Sequence, residues 1–304
     1  MYNALPEPDT LSELESYAVS IVKEAGKILA EHQNKPTKLD FKGEHRTDPV
    51  TSADLALEAF ITNSIKAKYP NHSIVGEETE SDNQAYEDYI WIIDPLDGTA
   101  NFASGLLLHG ISIGISYKGI PIVGCIYIPN NHNDGDIFHA RLGGGALVNG
   151  ISLDISNIKE INPVGLTGLP HMANRRFDFS RTKDTGLGEI RVTGSIVYEM
   201  VLVSRGIMQL ALFGNPHIWD IAAGIVIVRE SGGEVLQWSG STWMPLTTIL
   251  ESNKADTIRK SRMPIMAGSL KLTEAISSKI RVKRNLLARL SDYISSIAGN
   301  RHRR

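Results

Sequence analysis

Cysteine is nearly absent: the 304 residues contain one, Cys125, so no disulfide within the chain can staple the fold. It lies in the strand-like run Ile122 to Ile128, where a thiol reads as a small buried hydrophobe. No second cysteine stands near it, which excludes a thiolate metal site. Long apolar runs are missing too, and none approaches the roughly 20 residues that cross a bilayer. The opening Met1-Tyr2-Asn3-Ala4-Leu5-Pro6 lacks the basic-then-apolar order of a secretory leader, so a cytoplasmic home is the expectation. There is no internal repeat or low-complexity tract. The glycine run Gly143-Gly144-Gly145 precedes a strand and not a helix, which excludes a dinucleotide-binding loop.

What remains is an ordinary globular composition, 42% hydrophobic and 21% charged, on a chain long enough for one large or two medium domains. The net charge of -3 conceals an asymmetry, because residues 277–304 hold eight Lys/Arg and only Asp292 as an acid. The rest of the chain then has 23 basic and 33 acidic residues, a net of -10. A body that acidic is ill suited to general nucleic-acid binding and well suited to gathering carboxylates around a hard cation.

Hydrophobic spacing places helices over Thr10 to Glu31 and from Ser52 to Tyr69, the second stopped by Pro70-Asn71. Strands are expected over Ser73 to Val75, Tyr89 to Ile93, Gly110 to Tyr117 and Ile120 to Ile128, with Lys118-Gly119 turning a hairpin between the last two. Beyond residue 150 strands and helices alternate: Ile190 to Val192, then a helix over Ile196 to Val203; Ile207 to Phe213, then a helix from Ile218 to Glu230. Another strand is expected over Glu234 to Trp238. The expectation is two closely packed halves, α+β over residues 1–150 and α/β over 151–276, followed by a basic helical extension over 277–304.

The chemistry concentrates in Trp91-Ile92-Ile93-Asp94-Pro95-Leu96-Asp97-Gly98-Thr99. A buried strand ends in a carboxylate, a proline fixes the turn, and a second carboxylate follows three residues on. Asp94, Asp97 and the Leu96 carbonyl can aim oxygens at one point, and oxygen-only ligation suits magnesium over zinc or copper. A helix beginning at Gly98-Thr99 would turn its free amides to the same point, a ready anion site. Glu77 closes another strand and Asp220 opens a helix; taken singly, the first reads as a solvated loop acid and the second as a cap. Asp48 and Asp54 flank a further helix start. His171 and His217 have no ligand-like spacing and read as loop histidines.

Five ordered segments resemble the inositol monophosphatase family of magnesium-dependent, lithium-sensitive phosphatases. They are Asp48 to Asp54 (Asp-x-Val-Thr-x-x-Asp), Gly76 to Glu78, Asp94 to Thr99, Gly194-Ser195, and Trp219 to Gly224. The resemblance spans roughly residues 10 to 270. It implies a layered αβαβα sandwich, a homodimer, and two to three Mg2+ ions per site. Glu77, Asp94 and the Leu96 carbonyl would hold the first ion, Asp94, Asp97 and Asp220 the second, and a third would sit near Glu77. Asp54 and Thr99 would orient the attacking water, the amides of Gly98 and Thr99 would hold phosphate, and Lys42 falls where the family keeps a mobile loop. The activity implied is hydrolysis of a small phosphate monoester.

The substrate side departs from the animal enzymes of that family. Six residues before the Trp of Trp-Asp those enzymes carry a glutamate that meets inositol hydroxyls; Phe213 stands here. Ile196 replaces the usual small residue after Gly194-Ser195. The pocket is therefore tighter and less polar, and sugar, glycerol, histidinol or nucleotide 3'-phosphates compete with inositol monophosphate. Phe213 either stacks on a ring or packs in the core. The tail, with its Lys/Arg and an apolar stripe from Leu286 to Ile297, suits packing on the body or on a partner subunit, with an RNA or membrane-surface contact as the alternative. A rival class is a non-catalytic regulatory protein that binds RNA or protein on the same fold.

Overall fold

The helical spacing at the N-terminus forms α1 (Pro8–Gln33), which buries Leu11, Leu14, Ala18, Ile21, Val22, Ala25 and Leu29 along one stripe. The computed structural model describes residues 5–33, 40–42, 48–77, 86–131, 135–249 and 262–283, with the backbone alone at 40–42 and 48–50. Two short strands, β1 (Asp40–Lys42) and β2 (Asp48–Val50), pair antiparallel and lead into α2 (Ser52–Lys68). Thr51 caps α2 and Asp54 reaches back to the Thr51 amide, a reciprocal capping box.

Helices α1 and α2 cover one face of a seven-stranded sheet whose spatial order follows the chain. Its strands are β3 (Ser73–Gly76), β4 (Tyr89–Asp97), β5 (Gly110–Tyr117), β6 (Ile120–Ile128), β7 (Asp136–Arg141), β8 (Ala146–Val148) and β9 (Ile151–Leu153). β3 and β4 are parallel; every later pair is antiparallel. The short helix α3 (Thr99–Ala103) follows β4 directly. The β5–β6 turn falls at Lys118-Gly119, both left-handed, which suits the strand twist.

A second sheet of six strands has the order β12 (Glu189–Arg191), β10 (Leu166–Gly168), β13 (Met208–Phe213), β16 (Ile265–Ser269), β14 (Gly233–Ser239), β15 (Thr242–Pro245). Between the sheets lie α5 (Ile196–Ser204) and α6 (Ile218–Glu230), whose residues are buried nearly all round. On the far face sit α4 (Ala173–Arg176), α7 (Leu270–Ser277) and a small ribbon of β11 (Phe177–Asp178) with β17 (Arg281–Val282). Strand β13 shows why the layers hold: Ala211 and Phe213 face α6, while Leu210 and Leu212 face α7. The architecture is the αβαβα sandwich.

The second sheet is mixed and not simply the product of alternating strands and helices. β10 runs parallel to β12 and β13, but β16 is antiparallel to both β13 and β14, and β15 folds back on β14 as a hairpin. Residues 281–282 are a strand paired to β11, and the remainder of the basic tail from residue 284 lies outside the described residues.

Helix α6 sits unusually deep on the first sheet. A Cβ built on Gly114 would lie 2.6 Å from Ala222 Cβ, and one on Gly124 would collide with the Ala223 carbonyl. Glycine on two adjacent strands thus lets the helix backbone approach the sheet, which fixes the position of its first turn.

Candidate active site

Strand alternation alone would send Asp94 and Asp97 to opposite faces, because residues three apart on a strand differ by an odd count. The register prevents that. Asp94 pairs with Ser112 and Asp97 with Gly110, so three steps on β4 face two on β5. The extra residue is a β-bulge at Pro95-Leu96, where a proline costs no ladder hydrogen bond. Both carboxylates therefore come to the same end and side of the sheet. Asp94 is 1% exposed and its Oδ1 accepts the Leu96 amide at 3.1 Å.

Asp97 is held from across the molecule. Its Oδ2 accepts the Ser195 hydroxyl at 2.5 Å and the Val197 amide at 2.6 Å, the latter in the first turn of α5. Ser195 also caps α5, accepting from the Tyr198 amide at 3.1 Å. Burial pushes the Asp97 carboxyl up to about 6, against the pull of Ser195 and the amides of Val197, Ile196 and Gly98. Asp220, at the third position of α6, caps that helix by accepting the His217 amide at 2.7 Å.

Asp54 and Thr99 meet although 45 residues separate them. Asp54 Oδ2 is occupied by the Thr51 amide at 2.9 Å and hydroxyl at 2.6 Å, which leaves Oδ1 toward Thr99 Oγ1 at 3.2 Å. The same Thr99 hydroxyl lies 3.1 Å from the Leu96 carbonyl. Burial raises the Asp54 carboxyl, opposed by Thr51 and Thr99. Gly98, the residue before α3, takes φ +86°, and a Cβ there would lie 2.8 Å from the Leu108 carbonyl, so the turn admits only glycine.

Whether these residues fit a cation can be judged from their charge and donors. Burial, then the charges of Glu77, Asp97, Asp220 and Asp54, push the Asp94 carboxyl well above its ordinary range. Burial and then Asp97 do the same to Asp220. Asp94 Oδ2 and Asp220 Oδ1 accept no hydrogen bond among the described residues. Repelling carboxylates, oxygen-only donors and spare lone pairs suit a hard divalent ion. Among the described residues no three acidic, histidine or cysteine side chains are drawn close enough to cage an ion as they stand. Glu77 is half-buried at the end of β3, as expected. Lys42 ends β1 opposite Asp48, but its side chain and the loop after it lie outside the described residues.

A cleft of about 410 Å³ opens beside Ser195 and brings together Gly194, Ser195, Ile196 and Phe213. Phe213 is 3% exposed and belongs to the core between the sheets, so it offers the cleft an edge and not a free stacking face. The Ser195 hydroxyl is committed to Asp97 and to the Tyr198 amide. Two charged residues that the sequence reading passed over also line the cleft, Arg176 and Glu199. Glu199 Oε1 accepts the Thr193 hydroxyl at 2.8 Å and amide at 3.1 Å, and burial pushes its carboxyl up to about 7. Asn101 ties the same turn to α3 by donating to the Leu108 and Thr193 carbonyls at 2.7 and 2.9 Å. A lone acid in the apolar run Ile196 to Val203 was a readable signal for Glu199; Arg176 carries none.

An αβαβα sandwich of this build is a fold class shared with solved inositol monophosphatase structures. The family model of the inositol monophosphatases matches residues 10–267, and the chain belongs to that family. It is 33% identical over 245 residues to an inositol monophosphatase of Dictyostelium discoideum, covering 76% of this chain and 87% of that one. It is 32% identical over 231 residues to Nus factor SuhB of Salmonella typhimurium, covering 73% and 84%. The crystal structure of extragenic suppressor protein SuhB from Bartonella henselae aligns with a TM-score of 0.71 at 26% identity, covering 88% of this chain and 98% of that one. Among the described residues no helix is long and apolar enough to cross a membrane.

Proposed function

We propose that this protein hydrolyses a small phosphate monoester to an alcohol and inorganic phosphate, with magnesium held by Glu77, Asp94, Asp97, Asp220 and the Leu96 carbonyl. The observation that carries the reading is the bulge that turns Asp94 and Asp97 to one side, beside the Asp54–Thr99 pair. Bound magnesium would offset the charge of the ester and make an attacking water more acidic. The chain's own part is orientation and proton handling. With its hydroxyl proton donated to Asp54 Oδ1, Thr99 turns its lone pairs outward and can accept a proton from water. Asp54, its other oxygen occupied by Thr51, is the group onto which that proton passes. Gly98 and Thr99 amides would bear on the phosphate once it displaces the bias of the Gly98 amide toward Asp97. No cysteine or histidine nucleophile is needed, since water attacks directly.

The relative named as a Nus factor motivates a second reading, a binding protein without turnover. Phosphate release by purified protein, measured with magnesium and with excess EDTA, separates the two. Release that requires magnesium and falls by orders of magnitude in Asp94→Asn is expected; undiminished release in EDTA-treated protein would refute the metal reading. Absence of release from a broad panel of monoesters favours the binding protein.

A further inference from the structure

The cleft beside Ser195 contains a cation, Arg176, that has no counter-ion among the described residues. Arg176 ends α4, half-buried, and burial lowers its affinity for the proton. Its Nη2 donates to the side-chain oxygen of Asn215, a neutral acceptor, and its Nε is shut away from solvent with no hydrogen-bond partner. No carboxylate pairs with it among the described residues, although Glu199 lines the same cleft and turns its Oε1 to Thr193 instead. The position is held on both sides. A Cβ on Gly214 would lie 3.0 Å from Arg176 Cδ, so glycine there makes room for the stem, and the Arg176 carbonyl accepts the Lys283 amide at 2.7 Å. A brace for the turn at Asn215 would need only a neutral donor. A guanidinium with no carboxylate partner among the described residues is unfavourable for the fold alone and suits an anion supplied from outside, which would meet the Nη groups because Nε is closed to solvent.

We propose that Arg176 binds an anionic group, carboxylate or second phosphate, on the alcohol part of the ester, so that the preferred substrates are phosphomonoesters with a second acidic group. The inference rests on the phosphatase reading of the acid cluster. The cleft is lined by Ser195, whose hydroxyl touches Asp97, and also by Arg176 and Asn215, and its volume of about 410 Å³ holds a small ester. The planar fork of the guanidinium accepts carboxylate and phosphate alike.

The test compares glucose 6-phosphate, 6-phosphogluconate and glucose 1,6-bisphosphate on the full chain, wild type, Arg176→Met and Arg176→Lys. Methionine keeps the apolar stem against Gly214 and lysine keeps the charge without the fork, and melting temperatures establish that both variants fold. Wild type should favour at least one of the two doubly acidic esters by about tenfold in kcat/KM, the size of one charge-assisted contact. The arm that shows the preference identifies carboxylate or phosphate as the partner. Arg176→Met should abolish the preference by raising KM for the doubly acidic esters about tenfold more than for glucose 6-phosphate, with Arg176→Lys in between. Equal rates on all three esters in wild type, or a loss in Arg176→Met shared by all three, overturns the subsite and leaves the phosphatase reading intact. Binding of the unreactive pair 3-phosphonopropionate and propylphosphonate is measured alongside. A preference for the carboxylate compound that depends on Arg176, without hydrolysis of any ester, supports the subsite and refutes the phosphatase. Equal binding of the pair, with no preference among the esters, refutes the subsite by a second route.

Discussion

Replacing Ser195 with alanine removes two bonds from one atom. The hydroxyl donates to Asp97 at 2.5 Å and accepts from the Tyr198 amide at 3.1 Å. Loss of a helix cap costs about 0.5–2 kcal/mol, and loss of a hydrogen bond to a carboxylate about 1.5–3 kcal/mol. The Val197 amide at 2.6 Å still holds the same carboxylate oxygen, and neighbouring losses do not add in full. The expected total is about 2–3 kcal/mol, which for a chain of this size lowers Tm by about 3–5 °C. Catalysis should change in a way that stability does not explain. Ser195 is among the groups that hold the Asp97 carboxyl down to about 6, so its removal raises that value further. A carboxylate that protonates more readily competes less well for a cation as pH falls. Ser195→Ala should therefore need more magnesium for half-maximal rate at pH 6.5 than at pH 8, by a wider margin than wild type. Thermal unfolding by circular dichroism and magnesium titrations of the rate at both pH values provide the readouts, with Ser195→Thr as the rescue. A Tm within about 1 °C of wild type together with an unaltered magnesium requirement would refute the argument.

Gly114→Ala places a methyl 2.6 Å from Ala222 Cβ and 2.9 Å from the Ala222 carbonyl carbon, so α6 must move, and urea unfolding should show a loss of about 1–3 kcal/mol. An unchanged midpoint would mean that the helix is not seated by this contact. Glu15 on α1 accepts from Arg141 at 2.6 Å and from His139 at 2.7 Å; burial alone would raise its carboxyl, but these two bonds hold it below its usual 4.5. A depressed carboxyl stabilises above its unfolded value and loses that contribution as pH falls through the lower folded one, so Glu15→Gln should cost about 1–3 kcal/mol at pH 7 and much less near pH 3. A deficit that is the same at both pH values would contradict the ion-pair account.

The helices and hairpin were legible because their signals are local. Apolar spacing in α1, the Pro70-Asn71 stop after α2 and the Lys118-Gly119 turn each act within a few residues, and the observed ends of these helices and strands lie within four residues of the expected ones. The acidic heptapeptide was legible as chemistry, but not how it works: three-residue spacing on a strand predicts opposed side chains, and the bulge that reverses this is a pairing between β4 and β5. Pro95 was the local hint. The order of the second sheet was not legible, since β16 joins β13 to β14 by contacts across some 30 to 60 residues of chain. Phe213 illustrates the same limit. Its alternation in β13 marks a buried face, but only the position of the Gly194–Ile196 turn makes it also the edge of a cleft. Arg176 lies where no periodicity operates, in a four-residue helix between turns, so its isolation from every described carboxylate is a property of the folded chain alone.

The acids share one solution to the problem of burial without a counter-ion. Asp97 faces the amide of Val197 at the start of α5, Asp220 the amide of His217 at the start of α6, and Asp94 the Leu96 amide inside its own bulge. Each thus has one oxygen bound to the backbone, and two of them stand at helix N-termini, where the dipole favours negative charge. A side chain fixed by one oxygen can offer the other in a set direction, which a solvated loop acid cannot. The direction depends in turn on where the two helices sit. Gly114 and Gly124 admit α6 close to the sheet, and the Ser195 cap attaches α5 to the end of β4. On the proposed reading of the acids the glycines belong to the chemistry as much as to the core, because a helix held a methyl group farther out would move Asp220 relative to Asp94. That dependence is the physical reason a site gathered from four elements needs a rigid five-layer body rather than a loop.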